Sequence, residues 1–95
     1  MTKKSKDRLT REYMSRVAEL GCLICGSPAE LHHARTDQIK NDYLIIPLCP
    51  DHHRGPYSIH GHQRQFEKME GSQLHLLAET NKRLFSLMTR LLNGF

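Results

Sequence analysis

Six of the seven histidines and all three cysteines of this 95-residue chain fall between positions 22 and 62. Cys22-Leu-Ile-Cys25 is one pair of soft donors separated by two residues. Cys49-Pro-Asp-His52 is a second, 24 residues after Cys25. Two loops that each present two such donors can share one tetrahedral ion, so Cys22, Cys25, Cys49 and His52 form a predicted closed Cys₃His site for structural Zn2+. Gly26, directly after the second cysteine, lets backbone amides turn toward the thiolates. Three cysteines cannot all pair internally, and this is ligand spacing rather than disulfide spacing, which points to a reducing, cytoplasmic setting.

A zinc site uses one of the clustered histidines and leaves five. His32 and His33 sit where a strand would end, and neighbours on a strand face opposite ways, so one imidazole can hold a metal while the other faces substrate. His53 follows the zinc ligand His52, which would fix its position. His60 lies a short Gly-Pro loop further on, with His62 as the alternative. Three imidazoles on a divalent ion leave coordination positions open, as catalysis requires. The bland alternative is a set of exposed, metal-scavenging histidines.

These residues need elements to position them. Leu9, Tyr13, Val17 and Leu20 recur at helical spacing, which predicts a helix from about Asp7 to Leu20, stopped by Gly21. Glu30–Arg35 and Tyr43–Leu48 read as short strands, with Pro47 confining the second to an edge or an end. The polar stretch Thr36–Asp42 suits the loop of a hairpin between them. Cys49–Arg54 reads as a turn or short helix broken by Gly55-Pro56, and Gln63–Glu70 as a helical piece ended by Gly71. Leu74, Leu77, Ala78, Leu84, Phe85, Met88, Leu91 and Leu92 make a wide apolar stripe over Ser72–Asn93. Ser72 is its expected N-cap and Gly94 its stop. The stripe is expected to be core against the first helix, and it is also the one hint of a homodimer rather than a monomer. His75, on this last helix, reads as a surface or interhelix residue.

Size and composition limit the rest. The chain is too short for a TIM barrel or a dinucleotide-binding sheet. With 38% hydrophobic residues and no Trp, its core must be thin and in need of a staple. Residues 1–6 read as a disordered basic tail and residues 7–95 as a single α+β domain. Fourteen Lys and Arg against ten Asp and Glu give a net charge of +4, which favours a polyanion such as DNA. Lys3, Lys4, Lys6, Arg8, Arg11 and Arg16 gather at the start as a phosphate-contacting arm or a solvated helix face. Nothing approaches the length of a membrane span, and MTKKSKDRLTR lacks the apolar region of a secretory signal.

CLIC at 22–25, LHHAR at 31–35 and IPLCPDHH at 46–53 together resemble the HNH endonucleases, whose core is a zinc-stabilised ββα-metal (His-Me finger) unit. The longer run IPLCPDHHRGPYSIHG, with FEKMEG and LHLLAET after it, is similar to the phage and prophage group of the recombination-enhancement, RecA-dependent nuclease (Ref). The resemblance covers roughly residues 20–80. It implies a ββα-metal core flanked by an N-terminal and a C-terminal helix. It implies phosphodiester hydrolysis in DNA recombination, leaving a 5′-phosphate and a 3′-hydroxyl. His33 would be the general base, with His32, His53 and His60 holding a catalytic Mg2+, Mn2+ or other divalent ion. The asparagine that names the family has only Asn41 and Asp42 as candidates here. Arg35, Lys40, Arg54 and Arg64 lie around the site as expected phosphate contacts, with Arg8 and Arg11 on the arm. DNA is the expected partner, with a RecA filament a further one, and no membrane. The competing expectation is a zinc-stabilised DNA-binding or adaptor module that does not cut.

Overall fold

The computed structural model describes residues 6–35 and 40–93. The six elements follow the sequence closely: α1 (Arg8–Glu19), β1 (Glu30–His33), β2 (Ile45–Leu48), α2 (Pro50–Arg54), α3 (Gln63–Glu70) and α4 (Gln73–Leu92). Most of the expected tail, residues 36–39 at the start of the expected hairpin loop, and Gly94 lie outside the described residues.

Local chemistry sets the ends of these elements. The Asp7 carboxylate accepts the Thr10 N–H at 2.8 Å and caps α1. Ser72 caps α4 through the His75 N–H. Each side chain satisfies one of the amides that a helix start leaves without a partner. Cys49 precedes α2, with Pro50 as its first residue, where a missing N–H costs nothing.

β1 and β2 form a two-stranded antiparallel sheet in which His32 faces Ile46 and His33 faces Ile45. Pro47 is paired with Leu31 and sits on an edge, as its missing N–H demands, while its carbonyl accepts the Leu23 N–H at 3.0 Å. α1 and α4 both pack on β2, and α2 packs on both strands. Leu23, Ile46, Leu48, Ile59, Phe66, Leu76 and Leu77 form the core together with Cys22 and Cys49. Tyr13 stacks on Tyr43 at 4.7 Å, and the Thr10 hydroxyl lies 2.9 Å from that of Tyr43, so α1 is tied to the approach to β2. The hairpin therefore enters α2 directly, with a helix on either side in sequence.

The apolar stripe of α4 is not its buried face. The buried residues are Gln73, Leu76, Leu77 and Thr80, spaced at 3, 4 and 7 from the first. Leu74 is 74% exposed, Ala78 is exposed, and Phe85, Met88, Leu91 and Leu92 stand out beyond the core. Of the expected stripe, only Leu77 is buried, with Leu84 half-buried. On α1 the correction is smaller: Val17 is buried, whereas Leu9 is 72% exposed. Leu74 and Ala78 lie in the same turns as the buried residues of α4 but on its outward face. No helix among the described residues is long and apolar enough to cross a membrane.

Candidate functional site

The first cluster is assembled by two short loops. Gly21 and Gly26 take positive φ values of 80° and 81°, which lets the chain reverse around Cys22–Cys25. Within that turn Gly26 N–H donates to the Cys22 carbonyl at 2.9 Å, and Ile24 N–H points at Cys22 Sγ at 3.4 Å. On the other side His53 N–H donates to the Cys49 carbonyl at 2.8 Å, so the first turn of α2 carries Cys49 and His52 on one side. His52 Nδ1 lies 3.2 Å from Cys49 Sγ and 3.5 Å from Cys22 Sγ, and Cys25 Sγ lies 3.7 Å from Cys49 Sγ. A tetrahedron with zinc–sulfur bonds of about 2.3 Å has edges of about 3.8 Å, so these separations fit one zinc ion.

All three cysteines are free thiols. The Ser27 hydroxyl and backbone N–H hold the Cys25 thiol down at about 6, well below the usual thiol range. The His52 backbone N–H pulls Cys49 down, but burial and the neighbouring sulfurs outweigh it and raise the thiol. A bound cation reverses such a penalty, because a coordinated thiol gives up its proton. Cys22, Cys25, Cys49 and His52 are thus brought together as expected, each offering one ligand atom, all within 4.8 Å of one another.

The second cluster comprises His32, His53 and His60, whose ligand atoms also lie within 4.8 Å of one another. Ring centroids are 5.3 Å apart for His32–His53 and 4.8 Å for the other two pairs. β1 turns His32 inward, where it is only 2% exposed. α2 supplies His53, one residue past a ligand of the first cluster. The loop 55–61 supplies His60, and the sequence gives little hint of how tightly it closes. Ser58 is fully buried there, its hydroxyl donating to the Gly55 carbonyl at 2.6 Å and accepting the Gly61 N–H at 2.7 Å. Ile59 N–H reaches the His52 carbonyl and His60 N–H that of His53, at 3.0 and 3.2 Å. His62, the alternative third histidine, is exposed at the start of α3 and outside the cluster.

The imidazoles are held from behind. His53 Nδ1–H donates to Glu30 Oε1 at 2.8 Å. Arg54 grips the same carboxylate, its Nη2 lying 2.6 Å from Oε2. Arg54 first and His53 second hold the Glu30 carboxyl down at about 2. His32 Nε2 lies 3.2 Å from the side-chain oxygen of Gln73, and the Arg35 backbone N–H donates to that oxygen at 2.7 Å. Burial pushes His32 down to about 4, and it also lowers His60, with the charges of His53 and Arg35 adding. Both rings are therefore neutral near pH 7, as metal ligation requires. Among the described residues His32 Nδ1 is buried with no hydrogen-bond partner. An orphaned nitrogen on a buried ring packed against two other imidazoles suits a metal ligand, so the donor set fits a divalent cation.

His33 stands apart from these three. Its Nε2 lies 2.8 Å from Asp42 Oδ1, and Lys6 approaches the other carboxylate oxygen at 3.5 Å. The bond to His33, then Lys6, holds Asp42 below the usual carboxylate range despite some burial. Of the two candidates in this loop, Asp42 is thus the one that touches a site histidine, while Asn41 caps the turn by accepting the Tyr43 N–H at 2.8 Å.

Among the expected phosphate contacts, Arg8, Arg11, Arg35, Lys40 and Arg64 are exposed. Arg54 is committed to Glu30. His75 is exposed on α4, as expected. Glu30 and Gln73 were not singled out in the sequence. Glu30 carried a signal, since it lies two residues before His32 on β1 and so faces the same side. Gln73 carried none.

Residues 1–87 match the family described as Protein of unknown function (DUF968). The chain belongs to that family. The match takes in both clusters and ends within α4. No curated protein matches the chain, and no solved structure does.

Proposed function

We propose that this DUF968 domain is a metal-dependent DNA endonuclease of the HNH, ββα-metal type. The observation that carries the reading is the three-histidine cluster on β1, α2 and the following loop, with an orphaned nitrogen on its buried member His32 and a separate Cys₃His cluster that shares α2 with it. A purely structural zinc module has no use for the second set.

His33 is the general base. Its Nε2–H donates to Asp42, which leaves Nδ1 to take a proton from water as the water oxygen attacks phosphorus. The bond from phosphorus to the 3′ oxygen breaks, leaving a 5′-phosphate, and the departing oxygen takes a proton from solvent. His32, His53 and His60 would hold the divalent ion, which supplies positive charge for the phosphate oxygens as negative charge grows on them. Three imidazoles with no carboxylate suit a transition-metal ion better than Mg2+, which prefers oxygen donors. Arg35, exposed and beside His60, and Lys40, exposed two residues before Asp42, would take neighbouring phosphates. The resemblance extends the proposal to phage or prophage DNA recombination, with DNA presented by a RecA filament.

The test is nicking of supercoiled plasmid with Mn2+, Ni2+, Co2+ or Mg2+, wild type beside His33→Ala, with and without a RecA filament. Metal-dependent nicking that falls by about 10²- to 10⁴-fold in the mutant, with zinc content and fold unchanged, is the expected result. Salt-sensitive DNA binding without cleavage under every condition would favour a non-catalytic DNA-binding module instead.

A further inference from the structure

The side-chain oxygen of Gln73 has two neighbours, and one of them decides the orientation of the amide. The Arg35 backbone N–H, 2.7 Å away, can only donate, so the atom facing it must be oxygen rather than nitrogen. At its other end the Gln73 amide donates to Glu67 Oε2 at 3.2 Å, and Glu67 also accepts from Gln63 at 2.8 Å. The amide is thus fixed from both sides, in a side chain that is 7% exposed.

His32 inherits that orientation. Its Nε2 lies 3.2 Å from the same oxygen, so the proton of the neutral ring must sit on Nε2. The lone pair is then on Nδ1, the buried atom without a partner. We infer that Gln73 is a positioning residue: it sets the tautomer and tilt of His32, and so aims Nδ1 at the metal site shared with His53 and His60. The inference rests on reading the three-histidine cluster as a metal site.

The two supports differ in charge, and the difference has a purpose. His53 leans on a carboxylate, whereas His32 leans on a neutral amide. Outer partners of this kind orient a ligand and tune its basicity. The neutral partner suits the buried ring, because a second carboxylate there would be an ion removed from water. Gln73 is also the first residue of α4, so the C-terminal helix, outside the hairpin–helix unit, reaches the site through this side chain.

The experiment uses the full chain with its structural zinc retained and the second site metal-free. Long-range proton–nitrogen NMR of the histidine rings reads the tautomer, and titration with Ni2+ reads affinity. Wild type is expected to show His32 protonated at Nε2, with a proton protected from solvent exchange. Gln73→Met is expected to lose that protection and to bind Ni2+ about 10- to 100-fold more weakly, with the zinc cluster and backbone spectrum unchanged. Gln73→Glu combined with Glu67→Gln keeps an acceptor toward His32 but places a charge where the amide was neutral, so it is expected to restore the Nε2 proton and only part of the binding. A wild-type His32 protonated at Nδ1 overturns the inference without any variant, as does Gln73→Met with wild-type affinity. If wild type binds no ion beyond the zinc, the metal-site reading falls and takes the inference with it. That failure is told apart by a His32 ring that still carries its proton on Nε2.

Discussion

His52 and His53 are neighbours on a helix of five residues, yet they belong to different clusters with different means of support. His52 joins three sulfurs whose surroundings are local: backbone amides and a serine hydroxyl within two or three residues of each ligand. His53 joins His32 and His60, and here the supports are side chains from distant segments: Glu30 on β1 holds His53, and Gln73 on α4 holds His32. The four-donor cluster is closed and can clip the loop after α1 to the start of α2. The three-donor cluster has one donor fewer, and the proposed activity asks it to keep positions for water and phosphate. On that proposal one cluster serves folding and the other exchanges ligands. Their adjacency means that the first positions the second.

Removing zinc should break this comparison most severely. The core is thin, and two of its members, Cys22 and Cys49, belong to the four-donor cluster. A strong chelator, or Cys49→Ser, is expected to abolish the cooperative thermal transition seen by far-UV circular dichroism, because metal binding here is folding free energy. A transition that survived would show that the apolar core suffices and that the two clusters are independent.

Gly61→Ala tests the second cluster alone. A Cβ at Gly61 would lie 2.1 Å from the Gly55 carbonyl oxygen, so the loop must open and carry His60 with it. Zinc content should be unchanged while Ni2+ affinity at the three histidines falls by roughly 10-fold or more, the scale seen when a ligand loses its orientation. Equal losses at both clusters would mean that they cannot be perturbed separately.

Glu30→Gln gives a smaller effect with a defined pH signature. Glu30 has a carboxyl lowered from 4.5 to about 2 in the folded chain. Its contribution to stability is therefore fully present above pH 4.5 and is lost as pH falls toward 2. The gap in melting temperature between wild type and Glu30→Gln should stay constant from pH 7 to pH 5 and start to close only below 4.5. A gap that closed between pH 7 and 5 would assign the effect to a histidine instead.

The same contrast explains what could be read from the sequence. A closed zinc cluster advertises itself, since both of its donor pairs are short-range spacings. α3 and the start of α4 were equally legible, because Gly71 and Ser72 punctuate the chain between them. Glu30 could have been found from strand alternation. Gln73 could not, since its partners His32 and Arg35 lie about forty positions away and no local pattern ties them. The buried face of α4 was misread for a related reason. Hydrophobicity favoured the leucine stripe, but the face that packs includes Gln73 and Thr80, whose polar atoms are satisfied by His32, Arg35 and the Leu76 carbonyl. Burial followed hydrogen-bond satisfaction as well as oiliness.

That face runs out after about two turns. From Phe85 onward α4 continues with Phe85, Met88, Leu91 and Leu92 exposed, Leu87 half-buried, and no fully buried residue. Short unsupported helix is marginal in water, and its amides open without waiting for the whole domain to unfold. Deuterium uptake should therefore be graded along one continuous helix: slowest at Leu76–Thr80, where opening costs the core, and fastest toward Leu91. α4 would then be a single rod in shape but two parts in time, with its quiet end holding the histidine site and its restless end outside the span that the family match covers.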